Sequence, residues 1–163
     1  MKFVRTIRLK PLIISLSIPL ISGSAIGALL GITGKFDSYR ELFKPPYSPP
    51  NWLFWVVWTA LYLLMGISCY LIITADSPKA VREDALWQYF VQLGVNLIWP
   101  MLFFYFELRL GAFLWLIVLI AAVIKTFTDF WFINKAAALL QIPYALWLLF
   151  ALYLNGAIFL LNG

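Results

Sequence analysis

The distribution of apolar residues along the chain predicts helices that cross a membrane. Five long apolar segments, at residues 11–33, 51–74, 86–106, 110–133 and 137–161, alternate with shorter polar segments. Each has roughly the 20 residues that a helix needs to cross about 30 Å of hydrocarbon. Backbone groups in lipid must be paired within their own segment, which favours helices over strands. We therefore expect an all-α membrane protein, with residues 1–163 forming one domain, a bundle of five transmembrane helices.

The connections between the segments constrain how the helices are arranged. The last three segments are joined by Glu107-Leu108-Arg109 and Asn134-Lys135, which are so short that successive helices must be antiparallel neighbours. The longer first loop, residues 34–50, contains two Pro-Pro pairs that restrict the backbone. Two interpretations stay open for this loop: a rigid linker that starts the second helix, or a lid over a cavity.

Composition and charge exclude several classes of protein. Apolar residues make up 64% of the chain and charged residues 12%, against about 45–50% and about 25% in soluble domains. A soluble globule, a disordered chain and a disulfide scaffold are therefore excluded, and Cys69 is the single cysteine. The net charge of +5 includes no dense basic patch, so we expect no nucleic-acid partner.

The positions of Lys and Arg predict the orientation in the membrane. Seven lie on the side of the amino terminus, and four lie on the opposite side. The positive-inside rule then puts the amino terminus in the cytoplasm. The first segment also has a rival interpretation as a cleaved signal peptide, because basic residues precede it and it contains the small residues Ser22-Gly23-Ser24-Ala25, but its length favours a membrane span.

The third segment carries the most informative polar residues. Gln92, Asn96, Trp99 and Phe103 are spaced so that they form one stripe along a helix. Amides inside a span are costly unless they are hydrogen-bonded, so they should face the bundle interior. They either hold helices together or offer hydrogen bonds to a ligand. Pro100 should bend this helix and make room beside it.

Other spans carry patterns with weaker implications. Lys125 and Asp129 lie four residues apart and can form a neutral salt bridge; a proton or substrate relay is the alternative. Gly23, Gly27 and Gly31 favour close helix contact, inside the bundle or between protomers. The sequence has no histidine and shows no nucleophile beside a base, so we predict no catalytic residue and no metal site.

Four motifs resemble signatures of the tryptophan-rich sensory protein/translocator protein (TspO/MBR) family. In chain order they are the first-loop run from Ser38 to Pro50, Trp58-Thr59-Ala60-Leu61-Tyr62, Gln92-Leu93-Gly94-Val95-Asn96-Leu97-Ile98-Trp99 and Pro143-Tyr144-Ala145-Leu146-Trp147. The resemblance implies a homodimeric five-helix bundle of a bacterial cell membrane, with a ligand pocket under the first loop.

The same resemblance implies a function. It suggests a receptor or transporter that binds porphyrins (tetrapyrroles) and related apolar ligands, with a sensory or stress-response role and no required cofactor. Without histidine to ligate haem iron, a metal-free porphyrin is expected. A light- and oxygen-dependent porphyrin-degrading enzyme and a membrane scaffold are the alternatives. The ligand-binding positions that carry over are Tyr39, Trp58, Gln92, Asn96, Trp99, Pro143, Trp147 and Ala151.

Overall fold

The computed structural model describes residues 7–163, and every regular element in that range is helical. This confirms the all-α class. The helices are α1 Leu9–Ile32, α2 Lys35–Glu41, α3 Asn51–Ile73, α4 Lys79–Pro100, α5 Arg109–Ile133, α6 Lys135–Leu139 and α7 Ile142–Asn162. A π-helical turn, Met101–Tyr105, continues α4 beyond Pro100. Lys2 and Arg5, which contribute to the orientation prediction, lie outside the described residues.

Length and hydropathy make most of the long helices able to cross a membrane. Within residues 7–163, four segments qualify: Leu9–Ile32, Asn51–Ile73, Arg109–Ile133 and Lys135–Asn162. Helix α4 is also 22 residues long, but charged residues in its first turns and the amides Gln92 and Asn96 lower its hydropathy. The chain is therefore an integral membrane protein. A membrane span at α4, which would bring the number of spans to five, stays a prediction.

Helix order follows the short connections. Helix α5 packs between α4 and α7, as their connections require, while α1 packs mainly along α3. Apolar side chains such as Ile13, Ile117 and Leu146 are exposed on the outside of the bundle, where lipid would contact them. Because lipid is as apolar as these side chains, close packing and hydrogen bonds must hold the helices together.

The last apolar segment is divided into two helices rather than one. Pro143 has no backbone N–H, and its ring would clash with the carbonyl of Leu139 in a continuous helix. Helix α6 therefore ends at Leu139 and α7 begins at Ile142. The Asn134 side chain accepts a hydrogen bond from the Ala137 N–H (3.1 Å) and caps α6.

Glycines allow α1 and α3 to approach each other. Gly66 of α3 faces the α1 backbone, where an added Cβ would lie 2.8 Å from the Leu16 Cα and from the Ser15 carbonyl oxygen. Gly23 and Gly27 of α1 leave space that the rings of Tyr62 and Trp55 occupy. The predicted close contact therefore forms inside one chain at Gly23 and Gly27, whereas an added Cβ at Gly31 would meet no described neighbour.

We predict that Gly66→Ala destabilises the bundle. The new methyl group would meet backbone atoms that no rotamer change can move, so α1 must shift away, at a cost of about 1–3 kcal/mol. Thermal unfolding in detergent measures this as a lower midpoint. Gly94→Ala is the control, because an added Cβ there would contact no described atom beyond the backbone of its own helix. Equal destabilisation by both changes would contradict the packing argument.

Candidate ligand cavity

A cavity of about 240 Å³ lies between α1, α2, α3 and the end of α4. The cavity lies under α2 because the short α1–α2 connection folds α2 back over the bundle. Within the described part of the chain, its lining consists of Leu20, Gly23, Ser24, Ile26, Gly27, Leu30, Phe36, Tyr39, Arg40, Asn51, Phe54, Trp55, Trp58, Thr59, Tyr62, Trp99, Pro100 and Phe104.

Aromatic residues make up eight of the eighteen residues that line this cavity. Trp58 of α3 stacks on Trp99 of α4, with ring centroids 6.2 Å apart and an angle of 27° between the planes. Phe36 of α2 makes edge contacts with Trp55 and Phe104 at 5.5 and 5.3 Å. Such faces suit a flat apolar ligand, which can stack on them.

Hydrogen bonds behind the lining hold two of these aromatic walls in place. The Tyr62 hydroxyl donates to the Asn96 side-chain oxygen (3.1 Å), and the Asn96 side-chain nitrogen donates to the Tyr144 hydroxyl (2.8 Å). The Trp99 indole N–H donates to the side-chain oxygen of Asn155 (3.2 Å). These buried bonds connect α3, α4 and α7, and they fix the orientation of the rings that face the cavity.

Helix α2 and the residues after it cover the cavity, and polar contacts hold them at two points. The Asn162 side chain, at the end of α7, both accepts from the Phe43 N–H and donates to the Phe43 carbonyl, each at 2.9 Å. Lys35 forms an ion pair with Glu107 at 3.1 Å. Tyr39 is buried, and burial raises the pKa of its hydroxyl, which stays protonated at neutral pH.

The structure brings together three of the predicted ligand-binding residues. Tyr39, Trp58 and Trp99 line the cavity. Asn96 lies behind the lining and contacts it through Tyr62. Gln92 is fully buried, yet among the described residues neither of its side-chain amide atoms has a hydrogen-bond partner.

The predicted residues of α7 lie outside the described lining. Trp147 contacts the cavity residue Phe54 edge-on at 5.8 Å. Ala151 is buried and Pro143 is exposed. The roles of these three residues in ligand binding stay predictions, and so do the roles of the residues that line the cavity.

Sequence reasoning missed most of the wall formed by α1 and α2. Phe36 and Arg40 were not singled out, although Phe36 is spaced i, i+3 from Tyr39 and i, i+4 from Arg40, and that spacing is the signal that could have identified them. The predicted ion pair on α5 is confirmed, with Lys125 Nζ 2.8 Å from a carboxylate oxygen of Asp129. Within the described chain, α5 contributes no residue to the cavity.

Fold and cavity together define a helical integral membrane protein with an aromatic-lined cavity inside its bundle. A family model described as the TspO/MBR family matches residues 15–161 of the chain. Because the match covers nearly the whole chain, this protein belongs to the TspO/MBR family.

Relatives from archaea, bacteria and animals agree with this assignment. The chain is 40% identical to the tryptophan-rich protein TspO of Archaeoglobus fulgidus, over 82% of this chain and 90% of the relative. It is 36% identical to the protein CrtK of Rhodobacter capsulatus, over 83% and 87%. It is 34% identical to the human translocator protein, over 72% and 70%.

We predict that Asn96→Leu destabilises the protein. The substitution leaves the buried hydroxyls of Tyr62 and Tyr144 without their amide partner, at a cost of about 1–3 kcal/mol for each group left unpaired. Unfolding in mixed detergent micelles measures the change. Gln92→Met is the comparison: it removes an equally buried amide that lies beside the Tyr144 hydroxyl and makes no hydrogen bond of good geometry with any described residue, so it should cost less stability than Asn96→Leu. A larger loss for Gln92→Met would contradict the assigned bonding.

Proposed function

We propose that this protein binds a porphyrin or a related flat apolar ligand in the cavity under α2. The observation that carries the proposal is the convergence of Tyr39, Trp58 and Trp99 on one apolar cavity. Binding sites for such ligands are typically apolar and aromatic, with a few polar groups that set orientation. A sensory or stress-response role is part of the proposal and rests on the family relationship.

The size of the cavity limits how a macrocycle would bind. Sites for small molecules commonly measure about 300–1,000 Å³, and this cavity measures about 240 Å³. Its lining residues Ser24, Trp55 and Thr59 are exposed, so the cavity is open on one side. A macrocycle would therefore stack with one part on the indole wall while another edge extends beyond the bundle.

The proposal includes a membrane arrangement. Helix α4, with its π-helical continuation, would cross the membrane as well and bring the number of spans to five, since it packs on both α3 and α5. The amino terminus would face the cytoplasm of a bacterial cell, which puts α2 on the outer side. A homodimer is also proposed. Gly23 and Gly27 contact α3 within one chain, so the dimer would use another surface.

A second candidate function is porphyrin breakdown driven by light and oxygen. The observation that favours it is the stacked pair of Trp58 and Trp99 in the lining, where indoles would lie against a photoexcited ligand. Loss of porphyrin absorbance under illumination, abolished in Trp58→Phe, would support this candidate. Equal loss in the wild type and the variant would reject a role for that indole.

We predict that Thr59→Phe weakens porphyrin binding at least about tenfold, equivalent to about 1.4 kcal/mol. Thr59 lines the cavity, and a phenyl group there would occupy space that the ligand needs. A protoporphyrin titration of purified protein, followed by quenching of Trp fluorescence, gives the Kd. Ala60→Phe is the control, because Ala60 is the adjacent exposed residue and lies outside the described lining.

The outcomes separate the proposal from its alternatives. Saturable quenching that is lost in Thr59→Phe and kept in Ala60→Phe supports binding in this cavity. Saturable binding that neither variant changes would mean that the ligand binds at another site. Absence of saturable binding would reject the function and favour a membrane scaffold.

A further inference from the structure

We propose that Arg40 makes this cavity selective for flat apolar ligands that carry a carboxylate on one edge. The inference rests on the proposed function and names the chemical class of its ligand. Among the described residues of the lining, Arg40 is the one with a charged side chain. The cavity thus combines an apolar interior with a single cationic group.

The position of Arg40 on α2 directs it toward the cavity rim. Phe36, Tyr39 and Arg40 are spaced i, i+3 and i+4, so they share one face of the helix. Phe36 and Tyr39 on that face pack against Phe104 at the end of α4. Tyr39 is buried whereas Arg40 is exposed, which puts the guanidinium where the covered part of the cavity meets the exterior.

The present partner of Arg40 is easily displaced. Its guanidinium lies 3.0 Å from an Asp37 carboxylate oxygen, and the two side chains are 67% and 70% exposed. Exposed ion pairs of this kind add little to stability. A guanidinium can also bind a carboxylate through two parallel hydrogen bonds, so a ligand carboxylate can replace or share the Asp37 contact.

The neighbouring cations are engaged elsewhere. Lys35 pairs with Glu107, and its ammonium also lies 5.6 Å from the Tyr105 ring centroid. Lys44 donates to the Arg40 carbonyl (3.1 Å) and lies over the Tyr39 ring, 4.7 Å from its centroid. Arg40 is therefore the group best placed to meet an anionic edge of a ligand whose rings stack on Trp58 and Trp99.

This arrangement implies one orientation for the ligand. Its apolar edge would enter between α1 and α3, and its acidic edge would stay at the rim under α2. A neutral ligand of the same shape would keep the stacking and lose the contact with Arg40. Selectivity for the acid over its ester is therefore the measurable consequence.

The test compares protoporphyrin, which carries two carboxylates, with its dimethyl ester, which carries none. Both are titrated against the full-length protein in nanodiscs of phosphatidylcholine, a zwitterionic lipid whose headgroup adds no net charge. Four proteins are compared: wild type, Arg40→Gln, Asp37→Asn and Lys79→Gln. Lys79 is the matched control, since it is also exposed and pairs with a carboxylate one turn away, Glu83, at 3.5 Å.

For each ligand, the Kd of a variant is divided by the Kd of the wild type. Because a given ligand partitions into lipid equally in both measurements, the partitioning cancels in this ratio. We expect Arg40→Gln to weaken binding of the diacid about threefold to tenfold and to leave the diester unchanged. Asp37→Asn should strengthen binding of the diacid, because it removes the competing carboxylate. Lys79→Gln should change neither ligand.

Three results would overturn the inference. Equal weakening of both porphyrins by Arg40→Gln would mean that the side chain contributes packing rather than charge recognition. Saturable binding of both porphyrins that Arg40→Gln leaves unchanged would overturn this inference alone and leave the proposed function standing. No saturable binding of either porphyrin would overturn the proposed function together with the inference.

Discussion

The buried amide of Asn96 is the interaction on which this bundle depends most. Lipid gives the helices no hydrophobic reason to associate, so specific bonds must select their positions. Asn96 accepts from Tyr62 of α3 and donates to Tyr144 of α7. One side chain of α4 therefore sets the positions of two other helices. Because Tyr62 also lines the cavity, the same bonds fix part of the proposed binding surface.

The close approach of α1 and α3 forms another wall of the cavity. Gly66 lets the two backbones meet, while Gly23 and Gly27 let the rings of Tyr62 and Trp55 reach over α1. The result is a wall where small residues face large rings, which suits a flat ligand. Above it, the paired hydrogen bonds between Asn162 and the Phe43 backbone attach the first loop to the end of α7. The cover is thus tied to the last helix in the chain.

Much of the fold was predictable because lipid imposes strict rules on sequence. Long apolar runs, short polar links and buried amides follow from the need to pair every polar group. The bonded interior position of Asn96 and the pairing of Lys125 with Asp129 followed from the same rule. Gln92 is interior as predicted, but its amide makes no hydrogen bond among the described residues. The sequence did not predict the turn between α6 and α7. A proline such as Pro143 can either begin a helix or interrupt one, and sequence alone does not distinguish the two.

The sequence by itself determined the helical membrane class and the family, because hydropathy and local motifs are encoded residue by residue. Only the tertiary structure decided which motif residues share the cavity. Trp58 and Trp99 line it together, whereas Trp147 lies outside the described lining and contacts the lining residue Phe54. Periodicity gives the face of a helix on which a residue lies, but the neighbour of that face depends on helix rotation and crossing. Those are set by contacts between residues far apart in the chain.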